Sequence, residues 1–237
     1  MEMARTVDQA AHATRRRQIL DVAQRLVETR GYEQMSVQDV LDELGMSKGA
    51  LYHYFGSKQA LLAGIVDRTA DQIEEHLAEV VETPGSDALG KLNQIFQALA
   101  GWKAGHRDRL VALLRVWNSD GNALTRHRTR AGIAERLAPL FERVVEQGVR
   151  DGVFTLPTAV GFGQVLVSLV QDLNERLGDL FFACEEGRAD PSAVDRTVAA
   201  YTAALERILG VAPGAVHIVD PSALHAWFDP PRQEREG

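Results

Sequence analysis

The segment from Ser36 to Lys58 constrains the fold of this chain most, because two short helix signals are separated there by a single glycine. Ser36 and Asp39 have the S-x-x-D spacing of a capping box, in which each residue hydrogen bonds to the backbone of the other. Apolar residues then recur with helical spacing at Val37, Val40, Leu41 and Leu44. Gly45 ends the pattern, so the sequence predicts one short amphipathic helix.

A second helix start follows almost at once. Ser47 is an N-cap residue, and Leu51 and Phe55 fall on one face of the helix that it begins. The other face carries Lys48, Gly49, Tyr52 and His53. Two short helices joined by a glycine turn are typical of a helix-turn-helix, whose second helix enters the major groove of DNA.

Further helices are predicted on both sides of this motif. One runs from about Thr14 and stops at Gly31, whereas residues 1–13 lack an apolar pattern and are predicted to form a mobile arm. Ser57 caps a long helix that extends to about Glu82. Residues 14–56 are therefore predicted to form a three-helix DNA-binding domain.

The rest of the chain is also helical in pattern, and the fold class is all-α. The predicted helices span about residues 86–105, 107–118, 121–152, 158–184 and 191–209. Pro139 lies inside the third of these, where it marks either a kink or a boundary. Residues 57–210 are predicted to form a larger helical domain, and 211–237 a C-terminal tail whose apolar residues Leu224, Trp227 and Phe228 are able to dock on it.

Charge is unevenly divided along the 237 residues, whose net charge is -7. Residues 1–66 contain eight Lys or Arg and eight Asp or Glu, so the whole negative excess lies in the remainder. The run Arg15 to Arg17 offers phosphate contacts, although such runs also occur on solvated helix faces. A neutral first segment fits DNA binding better than the net charge suggests.

The composition favours a cytoplasmic protein that is not an enzyme. A single cysteine, Cys184, excludes an internal disulfide, and no apolar run is long enough to cross a membrane. The seven histidines contain no i, i+4 pair, and neither a G-x-S-x-G elbow nor a phosphate-binding glycine loop is present. We therefore expect no catalytic residues, no metal and no cofactor.

The front segment closely resembles the TetR family of bacterial transcriptional regulators over about residues 14–66. The most specific part is the aromatic run from Tyr52 to Phe55, followed by Gly56, Ser57 and Lys58. The resemblance implies that helix starts and cations meet phosphates while the second motif helix faces the bases. With Arg15 from the basic run, the residues expected to contact DNA are Arg15, Ser36, Ser47, Lys48, Gly49, Ala50, Tyr52, His53, Tyr54 and Lys58.

Two positions depart from the family pattern. Ala50 stands where a hydroxyl side chain is frequent, which leaves only a methyl group to contact a base. Leu41 stands where a small residue is usual, so the two motif helices must be spaced slightly differently or have a small neighbour in compensation.

The resemblance also implies that the larger domain binds a small-molecule effector and forms a homodimer. The expected interface comprises residues 158–184 and 191–209, paired as a four-helix arrangement. Polar or aromatic residues on otherwise apolar helices are the candidate lining, although for any one of them ordinary core packing or solvation is the better account. They are Trp102, His106, Trp117, Asn118, Phe141, Phe162, Gln164, Gln171 and Asn174.

The predicted function is thus a repressor that an unknown effector releases from a double-stranded DNA operator. The alternative is a DNA-binding protein of the same fold that has no small-molecule ligand.

Overall fold

The computed structural model describes residues 2–117 and 123–228, with side chains placed for 10–115 and 126–228. Every regular element in these ranges is a helix, which confirms the predicted all-α class. The helices are α1 (Glu2–Arg30), α2 (Val37–Leu44), α3 (Lys48–Tyr52), α4 (Lys58–Glu82), α5 (Ala88–Gly105), α6 (Arg107–Trp117), α7 (Ala123–Arg150), α8 (Phe162–Glu185), α9 (Ser192–Leu209) and α10 (Pro221–Phe228).

The chain divides into two compact units. The first contains Met1–Asp71 and Asp108–Thr129, and the second contains Gln72–Arg107 and Arg130–Gly237. Because both α4 and α7 contribute residues to each unit, the division falls inside these helices rather than at the predicted break after residue 56. None of the helices in the described ranges is long and apolar enough to cross a membrane.

The first unit has its own apolar core, built mainly from α1, α2, α3 and the start of α4. Residues from all four elements are almost fully buried, including Ile19, Leu20, Val40, Leu51, Leu61, Leu62 and Ile65. Leu113 of α6 belongs to the same core. The apolar stripes read from the sequence therefore meet in one cluster, and this burial stabilises the short motif helices.

Helix α1 begins at Glu2, twelve residues before the predicted start, so residues 2–13 are helical where an arm was predicted. This segment contains good helix formers and neither glycine nor proline. Residues 10–14 are exposed. The absence of an apolar pattern therefore did not mean that the segment is not helical.

The core of the second unit is formed by α5, α7, α8 and α9 with the end of α4. Its largest fully buried side chains are Phe96 and Phe141, whose ring centroids lie 6.3 Å apart. Helix α7 continues through Pro139, so the proline marks no boundary. Gly163 of α8 lies directly against the α7 backbone just before and after this proline, at Ala138 and Glu142.

Two helix starts in this unit differ from prediction. Helix α8 begins at Phe162 instead of about Thr158, after Gly161 in the left-handed region at φ 80°. Helix α9 begins at Ser192, with Asp190 Oδ1 accepting a hydrogen bond from the Ser192 backbone N–H at 2.7 Å. Asp190 therefore satisfies a backbone donor at the start of α9, although Pro191 rather than Asp190 occupies the N-cap position.

The segment after α9 is held against the second unit by two polar side chains. The buried Glu206 carboxylate accepts backbone hydrogen bonds from Gly214 at 2.7 Å and Val216 at 3.2 Å. Asn93 of α5 donates to the Ala215 carbonyl and accepts from the His217 N–H. Residues 211–228 are therefore an integral layer of this unit.

Helix α10 carries the apolar patch that was expected to dock. Leu224 is buried, and the Phe228 ring packs edge-on to Phe181 of α8 at 6.0 Å. Arg107 donates to the Trp227 carbonyl at 3.0 Å. The docking of Leu224, Trp227 and Phe228 is confirmed.

Candidate nucleic-acid interface

Ser36 fixes the start of α2 through the predicted capping box. Its hydroxyl accepts a hydrogen bond from the Asp39 N–H at 3.1 Å, while Asp39 Oδ2 accepts one from the Ser36 N–H at 2.7 Å. These bonds from Ser36 lower the pKa of the Asp39 carboxyl, and Arg30 adds to the effect. The capping box thus fixes the exposed N-terminus of α2. It does not use the other backbone N–H groups of the first helical turn.

The turn after α2 is set by Gly45, which adopts the left-handed conformation at φ 60°. The next amide, of Met46, donates to the Leu41 carbonyl at 3.0 Å. Leu41 itself is 4% exposed and belongs to the core, so the larger side chain at this position is accommodated by packing. This arrangement carries the chain directly into α3.

Helix α3 buries one side and exposes the other, as predicted. The Ser47 hydroxyl caps it by accepting from the Ala50 N–H at 3.2 Å, and Leu51 is 1% exposed. Tyr52 is 46% exposed, and Lys48 Nζ lies 5.8 Å from its ring centroid. Gly49 and His53 are exposed as well, and Ala50 is half-buried. The outward face therefore carries a cation, an aromatic ring and an imidazole within the six residues from Lys48 to His53.

Tyr54 is held differently from its neighbours. Its ring stacks on His12 of α1 at a centroid distance of 4.5 Å, and it packs partly against the core. The flat face that would meet a sugar or base is thus already in contact with the protein. The adjacent imidazole of His12 was not identified from the sequence, since residues 1–13 were read as an arm.

Two arginines of α1 lie beside the motif. Arg15 Nη2 donates to the Leu44 carbonyl at the end of α2 over 3.5 Å, and Nη1 donates to Gln18 at 2.9 Å. The Arg16 guanidinium lies 5.1 Å from the centroid of the Phe55 ring. Both side chains therefore lie beside the motif. The named hydrogen bonds use only two of the five N–H donors of the Arg15 guanidinium.

Lys58, at the start of α4, packs on the ring of Tyr32, which follows α1. Its Nζ lies 4.2 Å from the Tyr32 ring centroid and donates to the Glu33 carbonyl at 3.2 Å. Tyr32 is 5% exposed, and burial raises the pKa of its phenol. Lys58 thus has a packing role as well as two further N–H donors, a contact that its sequence position did not reveal.

The charges of the first unit are sorted by position. Arg25 and Arg30 pair with carboxylates of α2, at Glu43 and Asp39, and Arg68 pairs with Asp21. Among the placed side chains of residues 10–71, five cations have no carboxylate within salt-bridge distance: Arg15, Arg16, Arg17, Lys48 and Lys58. These are the cations that lie beside the motif, so the acidic residues do not neutralise that side.

The predicted effector residues have different surroundings in the structure. Phe141 is core, and Phe162 packs against the same core. Trp102 and His106 stack on each other at 4.3 Å, and His106 Nδ1 contacts the Trp102 carbonyl. Gln164 is exposed and lines a surface groove between α7 and the start of α8. The side chain of Trp117 and the whole of Asn118 lie outside the described residues.

Gln171 and Asn174 are the members of that set with polar contacts to other helices. Gln171 Nε2 donates to the Arg130 carbonyl at 3.0 Å, and Asn174 Oδ1 accepts from Lys103 Nζ at 2.6 Å. Burial lowers the pKa of the Lys103 ammonium to about 8. Lys103 was absent from the sequence-based set because a lysine on an amphipathic helix is ordinarily solvated.

Metal ligation finds no support in the described ranges, where no three His, Cys, Asp or Glu side chains are grouped.

Comparison with known proteins agrees with this geometry. The sequence model for bacterial regulatory proteins of the TetR family matches residues 19–65. The transcriptional repressor KstR2 of Rhodococcus jostii is 27% identical over 150 residues, which are 62% of this chain and 71% of that protein. The nucleoid occlusion factor SlmA of Photobacterium profundum is 27% identical over 134 residues, 56% of this chain and 64% of SlmA.

The fold extends this likeness beyond the motif. Bacillus subtilis FadR, solved in complex with stearoyl-CoA, has a TM-score of 0.56 and 18% identity, covering 84% of this chain and 98% of FadR. A likeness at this identity concerns the fold, while the motif match concerns the sequence that reads DNA. The helix-turn-helix of α2 and α3, its match to the family over residues 19–65 and the repressors among the relatives show that this part of the chain is similar to the DNA-binding segment of TetR-family transcriptional regulators.

Proposed function

We propose that this regulator is a cytoplasmic homodimeric repressor, which binds a double-stranded DNA operator through α3 and is released when an effector binds the second unit. The observation that carries the proposal is the face of α3, on which Lys48, Tyr52 and His53 are exposed beside cations that no carboxylate neutralises. Helix-turn-helix proteins place this face in the major groove.

In this proposal the contacts divide into two kinds. Ser36, Ser47 and Lys58 lie at helix N-termini, and Arg15 lies within α1 with its side chain at the end of α2. All four serve the phosphate backbone, which positions the protein without reading sequence. Lys48, Ala50 and His53 face the base edges, where lysine donates to guanine and a methyl group meets thymine. Gly49 allows close approach, since nothing lies within 4 Å of a side chain built there. Tyr52 provides an exposed ring, and Tyr54 supports α3 through His12.

Substitution of single contacts separates these roles. Lys58→Ala should weaken binding to every DNA sequence and reduce the slope of log K against log salt by about 1, because one phosphate contact is lost. His53→Ala should instead change the preferred operator, with about 1–3 kcal/mol lost at one base pair. Binding is measured by fluorescence anisotropy on operator and scrambled duplexes at several salt concentrations.

Lys91→Ala is the matched control for Lys58→Ala. Its Nζ also donates to a backbone carbonyl, that of Val81 at 2.9 Å, but it lies in the second unit. It should therefore leave DNA binding unchanged. Equal losses for Lys58→Ala and His53→Ala on all sequences would contradict the division of roles.

The homodimer would use the outer faces of α8 and α9, which pack against each other in one protomer. Val165 is 41% exposed, and Ala199, Ala200 and Ala203 are exposed on α9. Small and apolar side chains allow two helix pairs to approach closely as a four-helix bundle. By contrast, Val167 and Leu205, which the apolar pattern places in the same helices, are 2% and 1% exposed in the protomer core and cannot contact a partner.

The variant Ala203→Glu tests this interface. A charge at a desolvated twofold contact should convert the dimer to monomers and lower operator affinity, because two half-sites are no longer bound together. Sedimentation velocity measures the oligomeric state. Ala212→Glu, at an exposed position after α9, should remain dimeric; an intact Ala203→Glu dimer would place the interface elsewhere.

Effector control would act through α4, which supplies residues to both units. An effector that prefers one arrangement of the second unit shifts the population of DNA-binding dimers only by its difference in affinity between the two states. FadR, which shares the fold, was solved with stearoyl-CoA. SlmA, named as a nucleoid occlusion factor, gives grounds for the alternative of a DNA-binding protein without a small ligand.

A further inference from the structure

Lys103 of α5 is a partly buried cation of the second unit whose partner is a neutral side chain. Its Nζ donates to Asn174 Oδ1 of α8 at 2.6 Å. Among the placed side chains this is the only polar contact of the ammonium, and no carboxylate lies within salt-bridge distance. Desolvation lowers the pKa of the Lys103 ammonium, which agrees with this lack of a counter-charge.

Arg130, a second cation of this region, has a carboxylate partner. Arg130 of α7 is paired with Glu175, which follows Asn174 on α8, and its carbonyl accepts from Gln171. Glu175 is thus committed to Arg130. The partly desolvated positive charge of Lys103 has no such partner to offset it.

Asn174 adds a second donor at the same place. Because its Oδ1 faces Lys103, the amide Nδ2 is free to donate, and it makes no hydrogen bond to any other described residue. An ammonium and an adjacent amide N–H₂ match the two oxygens of a carboxylate, and charge-assisted hydrogen bonds of this type are among the strongest in proteins.

The residues next to this pair are apolar. Leu99 lies one turn before Lys103 on α5, and Val170 lies one turn before Asn174 on α8; both are partly buried against the core. The stacked rings of Trp102 and His106 flank Lys103 in sequence. A ligand with an anionic head and an apolar body would therefore meet complementary groups at both ends.

We propose that Lys103 and Asn174 form the head-group site for a carboxylate, and that the effector is an amphipathic monocarboxylic acid. This inference rests on the proposed effector control for its regulatory meaning, but not for the binding itself. The carboxylate supplies the counter-charge that the fold withholds from Lys103, so binding would be stronger for the acid than for a neutral analogue of the same shape.

The experiment compares straight-chain acids of six to twelve carbons with their primary amides, using isothermal titration calorimetry on the full chain at pH 7.0 without DNA. At least one acid should bind tenfold or more tightly than its amide. Lys103→Met should remove this preference, and Asn174→Ala should reduce it. Lys91→Met, on the same helix with its Nζ bonded to a carbonyl, is the matched control and should retain it.

Each other outcome overturns the inference. Acids and amides that bind equally, a preference that survives Lys103→Met, or no binding by any acid up to 5 mM, roughly the weakest affinity of interest, would each exclude a carboxylate site here. If acyl-CoA thioesters bind and the free acids do not, the anion recognised by the protein is a phosphate and not a carboxylate. If Lys103→Met does not fold, Lys103→Gln replaces it. Operator binding by the wild-type protein is measured separately, without acid. A failure to bind any operator would contradict the proposed function and would leave the carboxylate site as a separate result.

Discussion

Replacing Gly163 with alanine should destabilise the second unit by about 3 kcal/mol, the upper part of the range for overpacking. A Cβ at this position would lie 2.1 Å from the Ala138 carbonyl oxygen and 2.8 Å from the Glu142 nitrogen. Both are backbone atoms of α7, so no side-chain rotation relieves the contact and the two helices must separate. Chemical denaturation followed by circular dichroism gives the free energy of unfolding.

Gly132→Ala is the matched control for this variant. Gly132 also lies inside a long helix, α7, but no atom lies within 4 Å of a Cβ built there. Alanine should therefore stabilise by up to about 1 kcal/mol through its higher helix propensity. If Gly163→Ala were as stable as Gly132→Ala, the close approach of α8 to α7 would be wrong.

Lys103→Met should change how the stability of the protein depends on pH. The pKa of Lys103 falls from its ordinary value of 10.5 to about 8 in the folded chain. Between these values the unfolded chain holds a proton that the folded chain has released, so wild-type stability rises as the pH increases from 8 to 10.5. Below pH 8 both states are protonated and the cost of burying the charge is fully present.

The size of this effect follows from the two values. At about 1.4 kcal/mol for each pKa unit, wild type should gain on the order of 3 kcal/mol relative to Lys103→Met across this range. The difference between the two proteins is measured by urea denaturation at pH 7 to 10.5, which cancels titrations common to both. Lys91→Met should show no such trend, and a constant difference for Lys103→Met would mean that Lys103 is solvated.

The local parts of the fold could be predicted because their signals act over a few residues. The Ser36 capping box, the Ser47 cap and the end of α2 at Gly45 depend on side chains within four positions of the helix end. The docking of Leu224 and Trp227 was also indicated, since apolar side chains in a polar segment favour burial.

Other features were missed because they depend on contacts between distant parts of the chain. The predicted start of the first helix at about Thr14 was wrong, since α1 begins at Glu2, because periodicity reports packing and not helix formation. Val167 and Leu205 have the same apolar character as interface residues, and only their burial places them in the core. Lys58 looked like a free cation, but it packs on Tyr32, 26 positions earlier.

By itself, the sequence determined that the chain is helical and that α2 and α3 form a DNA-reading motif, because caps, glycines and apolar spacing act locally. The tertiary structure alone decided which cations are neutralised and which are not. Arg130 receives Glu175 whereas Lys103 receives only Asn174, a difference made by the packing of α5, α7 and α8. The energy of a charge depends on its partners and its exposure, and both are set by residues far apart in sequence.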